Sequence, residues 1–321
     1  MNSVSPAARR RMNYAAVIAP AVALLLPACA TAPVDQIKYF SQAFASVNTL
    51  GQPLLDDLAI AERRQGREIA VRRAQGKSQQ GADKCPRDDF PWLEASDPKQ
   101  GVILGFCLND AAYYSELADP PATRMMRGSL SVIERYADLL STLAEGRNVE
   151  GEIAEIEALS REVGGLFALA GVATPALAPV LGALHPILES AARQSSAQEA
   201  RRLVLQGAPV VTRLIGALET AAPAMFRTLV EQTTVKLVSK ADADPTVAAG
   251  DVARVEAYRV AVANYVVLLR KLQAAWDLTV QAASVPANQV SVATLVRQTS
   301  QLRADAENAR RVFSILRSGL Q

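Results

Sequence analysis

Along most of the chain beyond residue 34, apolar residues recur in alternating steps of three and four. Ile37, Phe40, Phe44, Val47, Leu54, Leu58 and Ala61 form one such series, with Gly51 in the slot between Val47 and Leu54. This spacing places one apolar stripe on a helix and predicts a coiled-coil-like seam over Val34–Ala74. Pro53 lies inside it and predicts a kink. Near the other end, Val252, Val255, Tyr258, Val262, Tyr265, Leu269, Leu272, Trp276 and Val280 stripe a second long segment. After Pro286, a third series runs through Val292, Leu295, Thr299, Leu302, Ala306, Ala309, Phe313 and Leu316. Both read as bundle helices.

The middle of the chain is punctuated more heavily. Asp119 before Pro120 and Pro121 predicts an N-cap with proline in the first turn. That helix should run to about Glu145, where Gly146 offers a stop. The next begins near Val149 and is acidic to Glu162; from Val163 to Leu188 the chain then carries no formal charge. Thr174-Pro175 inside this stretch predicts a helix start, hence a hairpin with two apolar arms. A long segment should follow from Pro175 to about Lys240, divided or kinked at Pro186, Pro209 and Pro223. Ala241–Gly250 reads as a turn. Period-two alternation is almost absent. The expected fold is all-α, an elongated antiparallel helical bundle with kinked long helices and an irregular, cysteine-containing insertion over residues 76–118.

Composition changes this picture little. Half of the 321 residues are hydrophobic and 5% are aromatic, so helix formers dominate. The first residues matter more. Arg9, Arg10 and Arg11 precede an apolar run, Ala15–Leu26, which ends in small residues around Cys29. A basic head, a short apolar stretch and a small-residue exit describe a secretory signal peptide over residues 1–28. The run is shorter than the roughly 20 apolar residues of a membrane span. Removing the three arginines takes the formal net charge from +2 to −1. A near-neutral body gives no electrostatic case for nucleic acid.

Leu26-Pro27-Ala28-Cys29 resembles the lipobox of bacterial lipoproteins. The resemblance implies that Cys29 is the lipidated first residue of the mature chain, with residues 29–34 as tether and 35–321 as body. A competing small-x-small site, Ala28-x-Ala30, would instead discard Cys29. Multi-acyl anchoring holds a protein stably at a bilayer. Ala30, where an aspartate would retain the protein at the inner membrane, implies an outer-membrane lipoprotein facing the periplasm. Export also bears on the remaining cysteines. Cys85 and Cys107 flank the least helical stretch of the chain, and an exported pair predicts a disulfide. Closing a loop of about 20 residues would stabilise the fold by roughly 3 kcal/mol.

Few residues of the sequence point to chemistry. The single histidine, His185, cannot build an H-E-x-x-H zinc site, and the chain has no G-x-S-x-G elbow, phosphate-binding loop or G-x-G-x-x-G. Asp83, Asp88, Asp89, Glu94 and Asp97 cluster without calcium-loop spacing and read as solvated loop charge. No cofactor, metal or catalytic residue is assigned, and the expectation is a non-enzyme.

Two surfaces carry what functional signal there is. Arg63, Arg64, Arg67, Arg72 and Arg73 are opposed only by Glu62 and Glu68 nearby. They fit either an anionic-surface contact or the solvated C-terminal end of a helix. The apolar hairpin, with Leu166, Phe167, Leu169, Leu177, Val180 and Leu181, fits core, a docking surface or a membrane contact. Each arm of about 12 residues spans about 18 Å, short of a bilayer core of about 30 Å. Such a tip is similar to the membrane-active heads of α-helical pore-forming toxins. The expected function is a periplasm-facing scaffold or binding module with an envelope protein partner or a second copy. The alternative is a membrane-active protein inserting residues 163–188.

Overall fold

A computed structural model describes residues 33–74, 110–169, 181–191, 196–240, 245–284 and 292–318. Among them the chain is all-α, with eight helices and no strand. These are α1 (Val34–Ala74), α2 (Ala111–Tyr114), α3 (Pro121–Ala144), α4 (Glu150–Leu169), α5 (Leu184–Ala191), α6 (Ala197–Lys240), α7 (Pro245–Ser284) and α8 (Val292–Ser318).

The 41 residues of α1 form the central rod, about 60 Å long at 1.5 Å per residue. Its seam is buried as the spacing requires: Ile37, Phe40, Phe44, Val47, Leu54 and Leu58 are core. Gly51 leaves room for the Tyr265 ring, whose Cε2 would lie 3.2 Å from an added Cβ. α3, α6, α7 and α8 all pack on α1. Directions follow from the contacts. Phe40 meets Trp276 and Gly51 meets Tyr265, so α7 runs antiparallel to α1. Ala208 accepts from Trp276, and Glu219 pairs with Arg270, so α6 is antiparallel to α7. Phe40, Tyr136 and Trp276 join three helices, with ring centroids 4.7 Å and 6.5 Å apart. Such aromatic pairs each add about 0.5–1.5 kcal/mol beyond burial. Close approach is built in at Gly207, where an added Cβ would overlap the Tyr136 hydroxyl. That hydroxyl donates to the Leu203 carbonyl at 2.7 Å.

The local signals correct several expectations. Asp119 is not the N-cap of α3. Pro120 occupies that position without a side-chain acceptor, and Asp119 instead pairs with Arg127 at 2.7 Å. The other end of α3 is as expected. Gly146 takes φ +70°, its N–H donates to Leu143, and the Arg147 N–H donates to Thr142, the two bonds of a Schellman cap. Of the two outcomes expected at Pro209 and Pro223, division does not occur, since α6 runs through both, and α1 likewise continues through Pro53. Pro209 and Pro223 sit on the exposed side of α6 and Pro53 is half-buried, so the carbonyls they release belong to the outer surface. The chain breaks instead between α5 and α6. There Ser196 caps α6 by accepting the Glu199 N–H at 3.1 Å. Residues 245–250 are the first turns of α7 rather than part of a turn, and Val252 is exposed. Within residues 110–118, expected to be irregular, α2 is a short helix. Cys29, Cys85 and Cys107, and with them the lipid site and the disulfide, lie outside the described residues.

Candidate functional site

The C-terminal half of α1 carries the arginine run, and two of its members turn inward along the chain. Arg63 donates to the carbonyls of Ser115 (3.0 Å) and Ala118 (2.9 Å). Arg67 donates to the Tyr113 carbonyl at 2.9 Å and lies over the Tyr114 ring. Gly66 lies between them, and an added Cβ would collide with Tyr113. Two guanidinium groups thus fasten α2 and the segment after it to α1. Arg64 is exposed and donates to Gln232, whose amide donates to Glu68 at 2.5 Å. Among the described residues Arg72 makes a surface pair with Glu68 at 3.5 Å. The Arg73 side chain lies outside the described residues.

Beside this run, two carboxylates are buried. Glu62 is 7% exposed and accepts three bonds of 2.8 Å, from the Ala122 N–H, the Thr123 N–H and the Thr123 hydroxyl. It therefore caps α3 from another helix, supplying the acceptor that Pro120 lacks. Burial raises its pKa above the ordinary carboxylate value despite these donors. Asp57, also 7% exposed, pairs with Arg317 of α8 at 2.9 Å and accepts from the Tyr258 hydroxyl at 3.3 Å. Burial is again the main effect, and it raises the Asp57 pKa against the pull of Arg317. Tyr258 is pushed up to about 12 by burial and the adjacent carboxylate. Asp57 lines a cleft between α1, α6 and α7 with Ile60, Arg64, Glu68, Gln232 and Arg254, of about 170 Å³. Ligand sites run to about 300–1,000 Å³, so this cleft is smaller than a usual small-molecule site.

The apolar hairpin is described only at its flanks. Val163, Leu181, Leu184 and Leu188 are core residues. The side chains of Leu166, Phe167, Leu169, Leu177 and Val180 lie outside the described residues. His185 is 64% exposed between Glu157 (3.2 Å) and Glu189 (3.5 Å), on the rim of this region. Among the described residues no helix is long and apolar enough to cross a membrane, and no group of three or more His, Cys, Asp or Glu is placed to hold a metal ion.

No protein-family model, no curated protein and no solved structure matches this chain.

Sequence reasoning missed Glu62 and Asp57. The signal available was positional. In the α1 heptad they flank the apolar seam, where charged residues make contacts between helices.

Proposed function

We propose that this chain is an exported bacterial lipoprotein, anchored through Cys29 at the outer membrane and facing the periplasm. Its helical body acts as a non-enzymatic scaffold or binding module. The observation that carries the scaffold reading is the use made of buried charge. Asp57 ties α1 to α7 and α8, and Glu62 ties α1 to α3. Glu199 is held by Arg202 and Ser190 across the α5–α6 break. These carboxylates are joints between helices, each met by a cation, a hydroxyl or an N–H donor. The address rests on the lipobox-like residues and the signal peptide before them.

The membrane-active reading is the weaker one, because the described flanks of the apolar hairpin are packed into the core. A photo-crosslinking probe at Leu169, carried by the full chain in its own envelope, separates the two. A discrete protein adduct is the expected result. Lipid adducts, together with release of dye from liposomes by the purified chain, would overturn the scaffold reading.

A further inference from the structure

The outermost helices of the bundle carry opposite charge. α4 contains five glutamates and one arginine, formally −4, and α8 contains five arginines and two acids, formally +3. α4 packs on α3 and α8 packs on α1 and α7, so α3 and α1 separate the two charged helices. Glu150, Glu155 and Glu162 are exposed on α4, and Arg297, Arg303, Arg310 and Arg311 are exposed on α8.

The helices also agree in direction. Glu62 meets Thr123 and Asp56 meets Arg127, so α3 opposes α1. Arg135 meets Glu155 and Thr142 meets Glu152, so α4 opposes α3 and runs with α1. On the other side, Lys271 bonds Asp305 and Tyr258 meets Phe313, so α8 opposes α7 and also runs with α1.

Their levels match as well. Val163 packs against Gly128, beside the Arg127 that reaches Gln52 and Asp56. This puts Glu155–Glu162 level with about residues 47–54 of α1. Asp305 is level with Lys271, between Trp276 (opposite Phe40) and Tyr265 (opposite Gly51), and Arg317 is level with Asp57. This puts Arg303–Arg310 level with about residues 44–51. The offset is about three residues, roughly 5 Å, within reach of a glutamate and an arginine side chain.

We propose that copies of this chain associate side by side, the acidic α4 face of one against the basic α8 face of the next. The contact is heterologous, so it repeats from copy to copy. Because both helices run with α1, neighbouring copies point the same way. Chains tethered to one membrane by the segment before α1 meet this requirement without turning over. The pairing itself rests on the fold; the lipid anchor adds only shared orientation and local concentration.

The test places a photo-crosslinker at Ala158 of α4 or at Ala304 of α8, both exposed, in the full chain within native envelopes. The expected product is a dimer-sized adduct in which peptides of α4 are joined to peptides of α8. Glu155 and Glu162 are seven residues apart and share one face of α4, as Arg303 and Arg310 share one face of α8. Two exposed pairs are worth about fivefold in affinity, so reversing Arg303 and Arg310 to Glu should cut the yield about fivefold. Coexpression with a copy carrying Glu155 and Glu162 reversed to Arg should restore it, now joining the two variants. In wild-type protein, which has no folding risk, raising salt from about 0.05 M to about 0.5 M should also lower the yield. Links between two α4 helices, adducts only with lipid or with other proteins, or a yield indifferent to salt would overturn the proposal. Loss of membrane attachment in Cys29→Ser with the α4–α8 link still forming in concentrated extracts would show that pairing and anchoring are independent.

Discussion

Removing the Glu62 carboxylate tests the reading of α1 as a rod whose side chains complete other helices. In Glu62→Ala three donors lose their acceptor. Ala122 is half-buried, and water replaces the carboxylate there at small cost. Thr123 is fully buried, so its N–H and hydroxyl are stranded. Each stranded buried group costs about 1–3 kcal/mol, which places the loss at about 3 kcal/mol. This exceeds the roughly 0.5–2 kcal/mol of losing an ordinary N-cap, because the acceptor here also joins two helices. For a body of this size the thermal midpoint should fall by about 5–10 °C. Glu62→Gln keeps one acceptor oxygen but turns an amide N–H₂ toward a backbone donor, and should lose about half as much. Urea unfolding at neutral pH, followed by circular dichroism, measures both. A loss below about 0.5 kcal/mol for Glu62→Ala would refute the account of Glu62 as the cap of α3, since one unmet buried donor exceeds it.

Asp57 makes the second prediction, through pH. Burial raises its folded-state pKa above 3.8, so the folded chain holds this proton more tightly than the unfolded one. Its contribution is therefore fullest below about 3.8 and declines as pH rises through the raised value. Stability measured against Asp57→Asn should fall over that interval; a rise would mean that Arg317 outweighs burial. Gly207→Ala forces a Cβ into the Tyr136 hydroxyl and should cost about 1–3 kcal/mol in the same urea assay. Tyr265→Phe should be neutral or stabilising by about 1 kcal/mol, because among the described residues the buried Tyr265 hydroxyl has no hydrogen-bond partner. Arg63→Ala with Arg67→Ala unfastens the segment around Leu117, which is 99% exposed. Limited proteolysis should then cut near Leu117 at least several-fold faster, and an unchanged rate would deny the two arginines their fastening role.

What sequence could reveal followed from the range of each interaction. Periodicity is local, and α1 carries its whole pattern within itself, so Val34–Ala74 and the buried stripe of α8 were legible. Gly146 was legible because a Schellman cap needs only its own helix end. The start of α7 was not, because Thr246 to Gly250 offer small residues and no apolar period. Pro209 and Pro223 left open whether α6 is divided or only kinked; it is not divided, because a proline divides a helix only where its freed carbonyl cannot be satisfied, and both face outward. Ser196-Ala-Gln-Glu199 is a capping-box sequence that marks the α5–α6 break more truly than any proline. The joints were the least legible part. Glu62 finds its donors about 60 residues away and Asp57 finds Arg317 260 residues away, so no window of sequence contains either pair. The opposed charges of α4 and α8 could be counted in advance, but their common direction and level depend on every helix between them.

The most direct test of the account is the mass of the mature amino-terminal peptide, taken from the full chain in native membranes. The account predicts that the peptide begins at Cys29, carries acyl chains on that cysteine, and shifts to the soluble fraction as an unacylated form in Cys29→Ser. A mature chain beginning after Ala30, free of lipid and released from the membrane, would contradict the anchored scaffold proposed here.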